Sequence, residues 1–420
     1  MQCAKPLLRR KLNNRAQAEP LYAQFIEERF GFYTNASAGG WLWVHAVSLG
    51  ETRTAGILLK GLREKFPGTK LLLTHGTATG REEGQKLLQP GDVQVWQPWD
   101  SADAVARFFK AFQPTVGLIL ETEVWPNLVR GAQHANVPLL LVNARMSEKS
   151  LSKALRWPSL MKPAYAGLSA VLAQTQDDAN RLQQLGAQVA SITGNLKFDA
   201  KPDSAQVTLG QQWRAAFSKP VLMLASSREG EEQMLLEAWQ IYVQQNPNAH
   251  IQWLIVPRHP QRVNEVAQSI VQQGFAVSRR SSWGQTTDAQ PPFDAPTPTI
   301  LLGDSMGEMA LYYSMSHAAL LGGSFEPLGG QNLIEAAACA CPVVMGQHTF
   351  NFAEASEAAV GCGAALRASK MLSAIESAVE LAMSKQTHQE VANAALQFAA
   401  QHGGATERTV LAVGQWLDAT

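Results

Sequence analysis

Short apolar runs alternate with helix-like stretches along almost the whole chain, and this limits the fold more than any other feature. Candidate strands begin at Trp41 (WLWVHAV), Lys70 (KLLLTHG), Val93 (VQVWQP), Val116 (VGLILE), Leu139 (LLLVNA), Ala170 (AVLAQ) and Val189 (VASITG). Helical character lies between them, for instance at 102–112 and 177–185. A polar stretch at 201–205 interrupts the pattern, which restarts at Val221 (VLMLASS), Ile251 (IQWLIVPR), Phe275 (FAVSR), Thr299 (TILLGD), Ala318 (AALLGG) and Pro342 (PVVMG). From Met371 the chain reads as helical to its end, and 281–298 as an exposed loop. Strand–helix alternation predicts parallel sheets covered on both faces. The fold class is therefore α/β, with two doubly wound, Rossmann-like domains in tandem, 1–202 and 203–420, facing across a cleft. Ligands bind beyond the carboxyl ends of such strands, so the architecture favours a two-substrate enzyme.

Composition narrows the classes further. A length of 420 residues suits two or three domains with ample core. With 46% hydrophobic and 17% charged residues, the chain is not disordered. Lys and Arg (35) balance Asp and Glu (35), which gives no support to a nucleic-acid binder. Cys3, Cys339, Cys341 and Cys362 match neither a zinc site nor a disulfide framework, and no secretory core is present at the N-terminus. A reducing cytoplasm fits. At the N-terminus Lys5, Arg9, Arg10, Lys11 and Arg15 precede the first acid, Glu19. This stretch is either a solvated arm or an anchor to anionic lipid. It holds no apolar run near the ~20 residues that span a bilayer.

Polar and glycine-rich motifs gather at the predicted strand ends. SLGE places Ser48 and Glu51 at capping-box spacing, as do Ser305 with Glu308 and Asn332 with Glu335. Glu51 thus reads first as a helix cap, and otherwise as a general base at a strand-to-helix turn. Glu121 and Glu123 end an apolar strand, and alternation puts them on one side, as a paired-carboxylate site or as a helix acid with a salt bridge. Lys197, among Gly194, Asn195 and Asp199, is a solvated linker lysine or a contact for a substrate anion. Arg258 and His259, between Pro257 and Pro260, suit a phosphate or carboxylate. GGSFEPLGGQN precedes an alanine-rich helix, where backbone N–H groups can meet an anion. There is no GxxxxGK[ST], no full GxGxxG, no HExxH and no D-x-D pair for a metal–diphosphate. That pattern points to a donor with one phosphodiester and to no metal site.

Taken in order, ERFGFY (28–33), WVHAVSLGE, LLTHGTATG, PWD (98–100), ETEVWPN, NARMS (143–147), GNLKFD, PRHPQR, DSMGEM and GGSFEPLGGQNLIEAA resemble the 3-deoxy-D-manno-octulosonic acid (Kdo) transferases of lipopolysaccharide assembly. The likeness runs from about Glu28 to beyond Gly346. It implies a GT-B glycosyltransferase that inverts the sugar centre and moves Kdo from CMP-Kdo to the lipid A precursor, with no cofactor beyond the donor itself. On this resemblance Glu51 matches the proton acceptor, and Glu121 and Lys197 match positions that stabilise the transition state. Pro257 and Arg258, Met306, Gly307 and Glu308, and Asn332, Leu333, Ile334 and Glu335 match CMP-binding segments. The donor would occupy the C-terminal domain and the lipid the N-terminal one. Members commonly begin with an apolar anchor, where this chain has a basic lead-in. The expectation is peripheral attachment to the cytoplasmic face of the inner membrane, the alternative being a start further upstream. Competing readings are another GT-B transferase or an epimerase, or a silent nucleotide-sugar or lipid scaffold. The number of Kdo units added and the oligomeric state are not written in the motifs.

Overall fold

A computed structural model of the chain describes residues 5–34, 39–199, 201–283, 290–293 and 298–418. Cys3 and much of the 281–298 loop fall outside the described residues. The chain divides into two compact units, Met1–Asp199 with His402–Thr420, and Ala200–Gln401.

The first unit is built on β1 (Trp41–His45), β2 (Lys70–His75), β3 (Val93–Trp96), β4 (Val116–Leu120), β5 (Leu139–Ala144), β6 (Ala170–Ala173) and β7 (Val189–Ile192). Their order is β3-β2-β1-β4-β5-β6-β7, with every neighbouring pair parallel. Alternation along each strand feeds two cores. Trp43, Leu72, Ile119 and Leu141 meet Phe108, Phe109 and Phe112 on one face. Val44, Leu73, Leu118 and Leu140 meet Leu58 and Leu62 on the other. Strand order reverses between β1 and β4, so the loops leaving these two strands flank the switch point where α/β sheets take ligands.

The second unit carries β8 (Val221–Ser227), β9 (Gln252–Pro257), β10 (Ala276–Arg279), β11 (Thr299–Leu302), β12 (Ala318–Leu321), β13 (Val343–Met345) and β14 (Ala365–Arg367). Here the order is β10-β11-β9-β8-β12-β13-β14, again all parallel, with the reversal between β8 and β12. All thirteen expected strands are present; β14 is the addition.

Two boundaries differ from expectation. Asp203 caps the helix Ser204–Ala216, accepting the N–H groups of Ala205 (2.8 Å) and Gln206 (3.2 Å), so the polar linker shrinks to a few residues. The segment from His402 onward, expected with 203–420, belongs to the first unit. The physical cause is an apolar stripe, Ala405, Val410 and Val413, which joins the core containing Leu58 and Leu62. Asp199 fixes the turn before that helix: Oδ1 accepts from Gly404 N at 2.6 Å and Oδ2 from Thr406 N.

The basic N-terminal stretch is not a free arm. Lys5–Ala16 is a helix whose Leu12 is buried, with Arg9 paired to Glu27 at 2.6 Å and Arg15 over the Tyr22 ring. Among the described residues no helix is long and apolar enough to cross a membrane.

Candidate active site

Ser48 ends the turn after β1 and caps the helix Leu49–Lys65, its Oγ accepting from Glu51 N at 3.4 Å. The glutamate does not complete the expected box by returning to the Ser48 N–H. Its Oε2 instead takes the Val47 N–H at 2.7 Å, and Oε1 takes the Ser48 hydroxyl at 3.2 Å. The residue stays partly exposed. Burial pushes the Glu51 carboxyl up to about 7; the Val47 hydrogen bond opposes this, and the negative charges of Glu121 and Glu123 add to it. Capping and a proton-accepting role can therefore coexist in one side chain, a point the S-x-x-E spacing alone does not decide.

Glu121 follows β4 across the switch point. Its φ of 59° puts a non-glycine residue in the left-handed region, so the strand alternation stops at Leu120. Asn143 on β5 (φ 51°) has the same backbone feature, and such strain clusters at functional sites. The turn buries Glu121 almost completely, its side chain being 7% exposed. Lys197 Nζ lies 2.8 Å from Oε1 and Arg145 Nε 3.4 Å from Oε2. The lysine contact is close but not aligned as a hydrogen bond, and Oε1 has no directed donor. Glu123 goes elsewhere: it accepts from Trp125 Nε1 at 2.8 Å, and burial raises its pKa. The paired-carboxylate expectation for Glu121 and Glu123 is thus corrected, because the left-handed turn sends them to different partners. Lys197 reaches Glu121 from the short helical turn Leu196–Asp199 after β7. That turn is pinned by Asn143, whose Oδ1 accepts from Leu196 N at 3.0 Å. Lys197 is a buried-carboxylate partner, not a solvated linker residue.

Two other motifs have structural partners within this unit. Asp100 of PWD caps the helix Pro126–His134, accepting from Asn127 N (3.2 Å) and Leu128 N (2.8 Å). Glu28 of ERFGFY accepts from Arg81 at 3.0 Å and from Trp96 N at 2.7 Å. Sequence reasoning missed Arg145 and Asn143 as neighbours of Glu121 and Lys197, although NARMS is among the motifs that carry the family resemblance.

In the second unit the predicted residues also sit at strand ends. Pro257 closes β9; Arg258 is exposed, with its backbone N–H on Ser227 O at 3.0 Å and Nε on Gln331 Oε1 at 3.1 Å. The structure thereby joins Arg258 to the Asn332 segment. Asn332 Oδ1 accepts from Ile334 N at 3.0 Å, and Glu335 is exposed. Leu333 and Ile334 are both 1% exposed, so only their backbone can meet a ligand. The helix there, Ile334–Ala338, begins after Leu333, and the expected Asn332–Glu335 box is absent. After β11, Met306 is exposed and Gly307 has a φ of 82°. Glu308 accepts from Arg280 Nη2 at 2.9 Å and from Ser305 Oγ. It sits at the cap of Met309–Met315, so Ser305 is not the cap expected of it.

The loop between β12 and the Asn332 segment is organised by Glu231, which is fully buried. Its carboxylate accepts from Gly323 N (2.7 Å), Phe325 N (3.1 Å) and Arg228 N (2.9 Å). Gly323 and Gly330, at φ 70° and 74°, close the loop on themselves through a 2.7 Å bond from Gly330 N to Gly323 O. Two concavities on this unit, of about 640 and 420 Å³, are lined by neither Arg258, Met306–Glu308 nor the Asn332 segment. The predicted residues of this unit lie in strand-end loops rather than in these hollows. Among the described residues no group of three or more His, Cys, Asp or Glu could hold a metal. The described cysteines are free thiols, Cys339 and Cys341 buried and Cys362 exposed.

A family model described as 3-deoxy-D-manno-octulosonic-acid transferase matches residues 24–200. The 3-deoxy-D-manno-octulosonic acid transferase of Bordetella pertussis is 44% identical, over 94% of this chain and 92% of its own. The transferase of that name from Haemophilus influenzae is 31% identical over 95% and 93%. Among solved structures, the UDP-GlcNAc 2-epimerase of Neisseria meningitidis bound to UDP-GlcNAc matches with a TM-score of 0.59 at 16% identity, covering 89% of this chain and 100% of that one. A likeness so low in identity concerns the fold alone, which is α/β of the GT-B type with two doubly wound domains. Relatives matched along nearly the full length of both chains settle the family: this chain belongs to the 3-deoxy-D-manno-octulosonic acid transferases and is a glycosyltransferase.

Proposed function

We propose that the enzyme transfers Kdo from CMP-Kdo to a glucosamine 6-hydroxyl of the lipid A precursor, with inversion, and that Glu51 is the general base. The observation carrying this reading is a carboxylate at the β1 switch point whose pKa is raised to about 7, near the pH at which a base is most useful. Glu51 removes the hydroxyl proton as oxygen attacks the anomeric carbon, and CMP leaves from the opposite face. Lys197, held by Glu121, offsets the Kdo carboxylate. Arg258 offsets the departing phosphate, and Asn332, Ile334 and Met306–Glu308 hold the nucleotide. The first unit takes the lipid and the second takes the donor. The chain's lack of a D-x-D pair motivates a reaction without a metal or cofactor.

Incubation with CMP-Kdo and a tetraacyl lipid A precursor, read by mass spectrometry, tests the activity. A product heavier by one or more Kdo residues is expected; an unmodified lipid with intact donor would contradict it. Arg258→Ala is expected to raise the KM for CMP-Kdo about tenfold or more, as loss of a charge-assisted phosphate contact does, with the lipid KM little changed. Equal donor dependence in the variant and parent would remove Arg258 from the donor site.

Attachment to the inner membrane is supported by the exposed cations Arg9, Arg10, Lys11 and Arg15 and the exposed Leu7, Phe25 and Phe32. Binding to anionic vesicles is expected to weaken in high salt. Vesicle binding that ignores both salt and lipid charge would contradict the electrostatic part.

A further inference from the structure

The N–H that holds Glu51 belongs to the Ala46–Val47 peptide, and the other end of that peptide is held as well. The Ala46 carbonyl oxygen lies 2.9 Å from Nδ1 of His75, a fully buried residue at the end of β2. A carbonyl only accepts, so Nδ1 carries the proton and Nε2 is bare. Burial keeps this imidazole neutral, its pKa lowered to about 3. Nε2 has no partner, so the buried ring's one directed task is at Nδ1. A peptide polarised at its oxygen donates more strongly at its nitrogen.

The next carbonyl is held from the same turn. Val47 O accepts from Gly76 N (3.2 Å), Thr77 N (3.0 Å) and Thr77 Oγ1 (2.9 Å). Arg29 ties the turn down from behind, with Nη1 on His75 O at 3.3 Å and Nη2 on Gly76 O at 2.8 Å. The approach needs glycine: a Cβ on Gly76 would stand 2.6 Å from Val47 Cγ1, and one on Gly80 2.8 Å from Val47 O.

We propose that His75 is a positioning residue for the base, orienting the Ala46–Val47 peptide so that its N–H meets Glu51 Oε2, with Thr77 fixing the peptide that follows. This rests on Glu51 acting as the base. The groups acting on Glu51 are Val47 N and Ser48 from its own turn and the charges of Glu121 and Glu123. Those acting on His75 are Ala46 O, the neighbouring His45, Arg81 and Arg29, with Thr52 Oγ1 at 3.3 Å. Without the His75 donor the peptide can turn, and Glu51 loses the contact that opposes its burial.

The test is the pH profile of kcat/KM for CMP release in His75→Phe, His75→Asn, Thr77→Val and Thr77→Ser. The acid limb of His75→Phe is expected to move up by about 0.5–1 pH unit, with the KM for CMP-Kdo unchanged. His75→Asn, whose amide N–H falls near Nδ1, brings the limb back. Should His75→Phe not fold, the half-buried Thr77 decides: Thr77→Val moves the limb upward and Thr77→Ser does not. Unmoved limbs in the folded Phe and Val variants overturn the proposal. Glu51→Gln is assayed beside them. If it is inactive while the limbs stay put, only the positioning role fails; if it turns over normally, the base assignment fails and this proposal with it.

Discussion

Glu51→Gln is expected to slow CMP release by about 10²–10⁴-fold, the range that general base catalysis supplies, while leaving the fold at least as stable above neutral pH. The amide keeps an oxygen for the Val47 N–H but cannot take a proton. The stability half follows from linkage. The folded carboxyl titrates near 7 and an ordinary one near 4.5, so folding favours the protonated form. That contribution is complete below the unfolded value and is lost as pH rises through the folded one. At about pH 8 the parent therefore carries the cost of an ionised, partly buried carboxylate, and the Gln variant does not. Melting curves at that pH separate a lost base from a lost fold. A variant that loses both turnover and several degrees of Tm would point to a structural cap alone.

Lys197→Met is the second large effect. Nζ is the nearer of two cations on a carboxylate that is 7% exposed at its side chain; Arg145, the other, is half exposed. Removing one partner of a buried pair costs up to about 3–5 kcal/mol, and here Arg145 limits the loss. Turnover is expected to fall by about 10²–10³-fold, as when a charge stabiliser of a transition state is removed. The double variant Glu121→Gln with Lys197→Met separates the two effects. It is expected to recover stability relative to Lys197→Met, because no unpaired carboxylate remains, and to recover no activity. If the double variant also regains turnover, Lys197 serves only to neutralise Glu121.

The strands were legible because a parallel sheet buried on both faces makes each one a continuous apolar run, as in LLLVNA and QWLIV. β14 escaped notice because Ala365–Arg367 is three residues with one charge. Motif positions marked the strand-end loops, since such loops need glycine and polar caps. What spacing could not convey was pairing across distance. Lys197 meets Glu121 only because β4 and β7 share a sheet, and Asp199 meets Gly404 and Thr406 only because the last helix returns to the first unit. The misplaced final segment has the same origin: its apolar stripe is visible in the sequence, but the surface that receives it is not. Of the two readings of Glu121 and Glu123, the paired one failed for a local reason, the left-handed Glu121, which no residue preference announces. The helix acid with a salt bridge is what the structure shows.

The most direct test of the account is the pH dependence of kcat/KM for CMP release by the parent enzyme, which reports the ionisation of the free enzyme's base. The acid limb should bend near pH 7 and fall about tenfold per unit below it, with the bend absent from the residual rate of Glu51→Gln. A limb at the ordinary carboxylate value, or one that survives intact in Glu51→Gln, would show that another group accepts the proton.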